Sequence, residues 1–180
     1  MGETVVVTPP TRRFLACLSA CGIAASVLVY IESFSGATID NNWRWEILLG
    51  IGVFAVSIPL HILEYPSSQK WNFYWKKYAQ CMPSWVVPCD KLFWLIAIAQ
   101  GVWFLIHSGG GAPTIMDGQY VLDSRGRVLK VLTQSEYLAL KAEEIRMLAA
   151  LMIACYFGPM MYWWFRRNPQ QGNESVRPIK

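Results

Sequence analysis

A chain of 180 residues that is 54 % apolar and only 16 % charged departs from soluble domains, in which charged side chains make up roughly a quarter. Its formal charge of +4, with no dense block of Lys and Arg, excludes the electrostatic footprint of a nucleic-acid-binding protein. The charges gather in clusters between long uncharged runs, which predicts an all-α integral membrane protein.

The first uncharged run covers 14–31 and follows Arg12 and Arg13. It is longer than the apolar core of a cleaved signal, about 7–15 residues, so it reads as a retained span. Ala16 and Ala20, and Gly22 and Ser26, are small residues at helical spacing, which lets helix backbones approach closely in lipid. Cys17 and Cys21 share one helix face. With five cysteines but no C-x-x-C, they are expected to be small buried residues and not a redox pair. The second run, 47–62, lies between Glu46 and Glu64, with Trp43 and Trp45 placed for the headgroup layer. It contains Gly50, Gly52 and a kinking Pro59.

Beyond it, Trp71, Tyr74, Trp75 and Tyr78 recur at i, i+3, i+4 and i+7 beside Lys70, Lys76 and Lys77. That is one face of an interfacial helix, serving as a membrane anchor or as a docking surface for a partner. A third span is expected over 92–107, broken by Gly109, Gly110 and Gly111. The loop 112–146 then reads as ordered. Segments 119–122 and 128–131 are two strands of a hairpin turning at 123–126. Thr133 and Glu136 form a capping box that opens a helix. That helix continues into a fourth span, 147–165, containing Gly158-Pro159 and ending in Trp163, Trp164, Phe165, Arg166 and Arg167. The fold expected is thus a four-helix transmembrane bundle with a small extramembrane hairpin plus helix in its last loop, followed by a short tail at 168–180.

Basic residues set the orientation. Arg12 and Arg13, then Lys70, Lys76, Lys77 and Lys91, then Arg166, Arg167, Arg177 and Lys180 place both termini and the middle loop in the cytosol by positive-inside bias. The outer loop balances its charges. The membrane itself, plasma membrane or endomembrane, is open.

Catalytic constellations are not legible: there is no G-x-S-x-G, no H-E-x-x-H and no Walker loop. His61 and His107 end successive antiparallel spans, about 30 Å apart across the hydrocarbon, too far to share one haem within the chain; a haem shared with a partner stays open. Ionisable residues are almost missing from the expected span interiors, against a transport pathway. Gln100 and Ser57 are their main polar groups, suited to bonds between helices.

The second span ends in Leu63, Glu64, Tyr65 and Pro66. Pro66 stops the helix, and Glu64 sits at a C-terminus whose dipole disfavours an acid, so it either takes a cation, from Lys76, Lys77 or a partner chain, or is solvated among the headgroups. This motif resembles the signature of the light-chain subunit family of the NADPH oxidase flavocytochrome b. Gly22-Ile23-Ala24-Ala25 in the first span, the basic aromatic stretch ending Lys76-Lys77-Tyr78 and the two later spans are similar as well. The resemblance implies a bundle with no haem or flavin of its own; the cysteines and the two histidines form no metal-ligand cluster in the sequence. It implies pairing with a larger integral membrane subunit that carries haem and FAD and makes superoxide, which the light chain stabilises. Leu63, Glu64, Tyr65, Pro66, Trp71, Trp75, Lys76 and Lys77 would bind that partner. Two departures stand out. The tail has no P-x-x-P, so docking of an SH3 organiser through it is not expected, and the outer loop is longer than the family's. The expectation is a non-catalytic accessory subunit in a heterodimer. An auxiliary subunit of an ion channel or respiratory complex, or a small membrane enzyme, cytochrome or transporter, remain the alternatives.

Overall fold

The structure, a computed structural model, describes residues 9–34, 43–64 and 82–165; at 9, 43–46 and 60–64 it describes the helical backbone alone. The described residues form four helices, α1 (Pro9–Glu32), α2 (Trp43–Glu64), α3 (Val86–Ser108) and α4 (Gln134–Phe165), and three strands, β1 (Ala112–Met116), β2 (Gln119–Ser124) and β3 (Arg127–Val131). Three helices have the length and apolarity to cross a membrane: Pro10–Glu32 of α1, α3 and α4. Within α2 the apolar stretch Ile47–Pro59 is shorter.

The helix α4 touches each of the other three helices as well as β1 and β2. Its neighbours fix their directions. The Arg146 guanidinium lies 4.8 Å from the Phe34 ring centroid, and Leu15 and Ala16 cluster with Phe157, Tyr162 and Trp163, so α1 runs antiparallel to α4. So does α3, where Trp103 Nε1 donates to Glu143 at 3.4 Å, Phe93 meets Phe157 and Trp85 meets Phe165. In contrast, α2 runs parallel to α4, because Tyr156 bonds Leu49 and Trp163 bonds Val56.

The buried layer mixes large side chains, among them Leu15, Val56, Val86, Phe104, Tyr156, Phe157, Tyr162 and Trp163, with small and hydroxyl-bearing ones. Ala16, Ser19, Gly22 and Ser26 of α1 are buried, as are Ala97 of α3 and Ala149, Ala150 and Ala154 of α4. Ser19 and Ser26 each return their hydroxyl proton to the carbonyl four residues back, both at 2.8 Å, so these two hydroxyls are satisfied within α1. Many large apolar side chains also face outward: Phe14, Leu28 and Ile31, Ile51 and Phe54, and Leu92, Leu95, Ile98, Val102, Leu105 and Ile106 are all exposed. A helix that is apolar around its whole circumference has no solvated face.

Three expectations change here. The third helix begins at Val86, not at 92, which brings Asp90 inside it. Cys17 and Cys21 are exposed and not buried. The expected hairpin is two strands of an antiparallel meander β1–β2–β3. The added strand β1 pairs Met116 with Gln119 across Asp117-Gly118, and β2 pairs Ser124 with Arg127 across Arg125-Gly126. All four turn residues have positive φ, from 50° to 80°, as the two-residue turn that matches strand twist requires. Asp-Gly is a strong signal for such a turn. A bulge between Leu122 and Asp123 shifts the register of β3.

The capping box forms reciprocally. Thr133 N–H donates to Glu136 Oε2 at 2.8 Å, and Glu136 N–H donates to Thr133 Oγ1 at 3.2 Å. From there α4 continues without a break through Pro159 to Phe165. Its first three turns, with Glu136, Lys141, Glu143, Glu144 and Arg146, are charged; the apolar part follows.

Candidate functional site

Of the residues expected to bind a partner, Leu63 and Glu64 form the last turn of α2, with their backbone alone described. Tyr65, Pro66, Trp71, Trp75, Lys76 and Lys77 lie outside the described residues. Helix directions nonetheless place that last turn. Because α2 runs with α4, its C-terminal end stands at the same end of the molecule as the N-terminal turns of α1 and α3 and the Tyr162–Phe165 end of α4. This end holds the largest buried cluster: Leu15, Ala16, Met82, Val86, Phe157, Tyr162 and Trp163.

What holds α2 to α4 is a two-rung ladder. Tyr156 donates its hydroxyl to the Leu49 carbonyl at 2.7 Å, and one heptad on, Trp163 Nε1 donates to the Val56 carbonyl at 3.4 Å. Both carbonyls belong to α2's own hydrogen-bond row and accept a second proton. The Tyr156 ring reaches α2 only because two glycines make room. A Cβ on Gly22 would lie 2.5 Å from ring carbons, and a Cβ on Gly52 would collide with the phenol oxygen. By contrast, a Cβ on Gly50 would meet nothing within 4 Å.

Asp90 is the unexpected residue. It is 4 % exposed in the second turn of an apolar helix, and its Oδ1 has no hydrogen-bond partner among the described residues. The Cys155 thiol of α4 lies within electrostatic range of it. Leaving a buried carboxyl oxygen unpaired is unfavourable by several kcal/mol if charged, so Asp90 marks a place where packing was subordinated to something else. A signal for it existed. Asp90 falls on the stripe of Val86, Phe93, Ala97 and Phe104, the side of α3 turned toward α4. Starting the span at 92 removed Asp90 from that stripe.

At the opposite end, polar groups link the helices. Gln100 Nε2 donates to Tyr30 Oη at 3.4 Å, an interhelical bond of the kind expected for it. Trp103 donates to Glu143 and stacks against His107, ring centroids 4.3 Å apart. Lys130 of β3 pairs with Glu136 at 2.7 Å, and Tyr120 stacks on Tyr137, which ties the sheet to α4. His61, in the last turn of α2, and His107, in the last turn of α3, stand at opposite ends because those helices run oppositely; the pair does not fit one bis-histidine haem. Among the described residues no group of three or more His, Cys, Asp or Glu is placed to hold a metal ion, and Cys17, Cys21, Cys89 and Cys155 are free thiols. Compared with protein families, curated proteins and solved structures, the chain matches none.

Proposed function

We propose that this chain is a multi-pass integral membrane protein, a four-helix transmembrane bundle with both termini cytosolic and the three-stranded sheet on the outer side. Its role in this reading is that of a non-catalytic accessory subunit, which binds and stabilises a larger membrane partner. The observation that carries the membrane reading is the outer surface, where Phe, Leu, Ile and Trp side chains of α1, α2 and α3 stand exposed, while Ala and Ser take part beside larger residues in the packing between the helices. In water, exposed apolar surface of this extent drives association; in lipid it is the solvated surface, and small residues between helices are what association uses. The alternating helix directions suit an up-down path through four spans, with α2 reaching its length through all 22 residues.

The partner reading rests on the resemblance to the oxidase light chains through Leu63, Glu64, Tyr65 and Pro66. It is supported by where the last turn of α2 lies, at the end with the largest buried cluster. The partner in this reading is a superoxide-producing NADPH oxidase chain that holds haem and FAD itself. Affinity purification of the tagged chain in mild detergent, with an absorption spectrum and mass spectrometry of the co-purifying proteins, tests it. A flavohaem oxidase that co-purifies, and is lost on Glu64→Ala or Pro66→Ala, is the expected result. A colourless preparation carrying a channel or respiratory subunit would replace the oxidase by that partner.

A further inference from the structure

Between the N-terminal turns of α1 and the C-terminal turn of α4 lies an open groove of about 490 Å³, lined by Arg13, Ala16, Cys17, Trp163 and Trp164. Its chemistry is graded along its length. Ala16 and Trp163 are buried and form an apolar floor, Cys17 and Trp164 are exposed rims, and Arg13 stands exposed at the mouth. Arg13 makes no ion pair among the described residues. Arg12 is in the same turn, Lys91 is exposed at the same end of the molecule, and Arg166 and Arg167 follow α4 directly in the sequence. Two acids belong to this end: Asp90, buried on the α4-facing side of α3, and Glu64, whose backbone ends α2; neither is among the groove's lining residues. A cation at the rim of an apolar slot between two helices fits an amphiphile with an anionic head and a hydrocarbon tail. Indoles and arginine are also the side chains that settle at the headgroup layer, each with an apolar body and a polar tip.

From this groove we infer that the chain carries a specific site for an anionic phospholipid, its net-negative headgroup on Arg13 and the start of one acyl chain along Ala16, Trp163 and Trp164. The site rests on the membrane reading above, and its test separates the two. The full chain is first recovered from carbonate-washed membranes; its loss from that pellet would sink the membrane reading. It is then titrated in mild detergent with phosphatidylserine or phosphatidylcholine under native mass spectrometry. Phosphatidylserine is expected to bind about five-fold more tightly, the weight of one basic group beside an anionic headgroup. Arg13→Gln removes that preference, whereas Arg125→Gln, on the hairpin turn at the other end, keeps it. Cys17→Trp fills the groove from its exposed rim, leaves the charge in place and weakens both lipids. Equal binding of the two lipids, or unchanged binding in both Arg13→Gln and Cys17→Trp, overturns the site. So does an adduct that survives denaturation, is released by hydroxylamine and is lost in Cys17→Ser, because it is a thioester on Cys17 and not a bound lipid.

Discussion

Tyr156 joins three helices with one side chain: its ring fills the space left by Gly22 of α1 and its hydroxyl reaches the Leu49 carbonyl of α2. The two glycines therefore fail differently when substituted. Gly22→Ala pushes a methyl onto the face of the ring and is expected to destabilise by about 1–3 kcal/mol, as overpacking does. Gly52→Ala collides with the phenol oxygen and only crowds Cζ, at 3.3 Å, so Tyr156→Phe, which by itself loses a bond of about 1 kcal/mol, should rescue Gly52→Ala in large part and not Gly22→Ala. Denaturant-induced loss of helicity across this double-mutant cycle reads the coupling directly, with Gly50→Ala as the neutral comparison. Asp90 obeys the opposite logic. Its carboxyl stabilises nothing visible in the fold, and replacing a buried, poorly paired charge with an apolar side chain of similar size is often neutral or stabilising by about 1–4 kcal/mol. Asp90→Leu is expected to raise the melting temperature in detergent; a lower one would mean that the carboxyl has a partner that holds the fold.

At the scale of the element, the start of α4 rests on a charged cap. Hydrogen bonds from Lys130 and from the backbone and hydroxyl of Thr133 lower the Glu136 pKa from 4.5 to about 2. A depressed acid stabilises the fold above its unfolded pKa and loses that contribution as pH falls through the folded value. The first turn of α4 and the β3 strand tied to it are thus expected to keep their protection above about pH 4.5 and to lose it progressively toward pH 2. Hydrogen exchange of the amides from 130 to 138 against pH measures this, and Glu136→Gln should abolish the dependence. The capping box could be read in the sequence because its signal is local, two residues three apart. The hairpin could be read for the same reason at Asp123–Gly126, and the Asp-Gly turn that creates β1 was equally local but lies where the flanking strand, 112–116, contains a proline and little alternation.

For the whole molecule, the alternating directions of the four helices lead to a topology that labelling can check. In sealed vesicles, a single cysteine at Ser124, on the sheet, should react with an impermeant maleimide from outside, and one at Gln170 only after the membrane is opened. Equal reactivity of the two positions from one side would break the four-span path. Composition and uninterrupted apolar runs determined by themselves that this is a helical chain with long apolar elements, because the absence of charge over about 20 residues is a one-dimensional property. The turn and cap residues likewise determined where the sheet and α4 begin. Tertiary structure alone decided which faces meet: that Gly52 and not Gly50 receives Tyr156, that α4 is the element shared by all the others, that Asp90 is enclosed and that Arg13 opens onto a groove. Helices apolar all round present no stripe to mark the inner face, so their mutual rotation is set by which small residues allow close approach, and that is a property of pairs of helices and not of any one run of sequence.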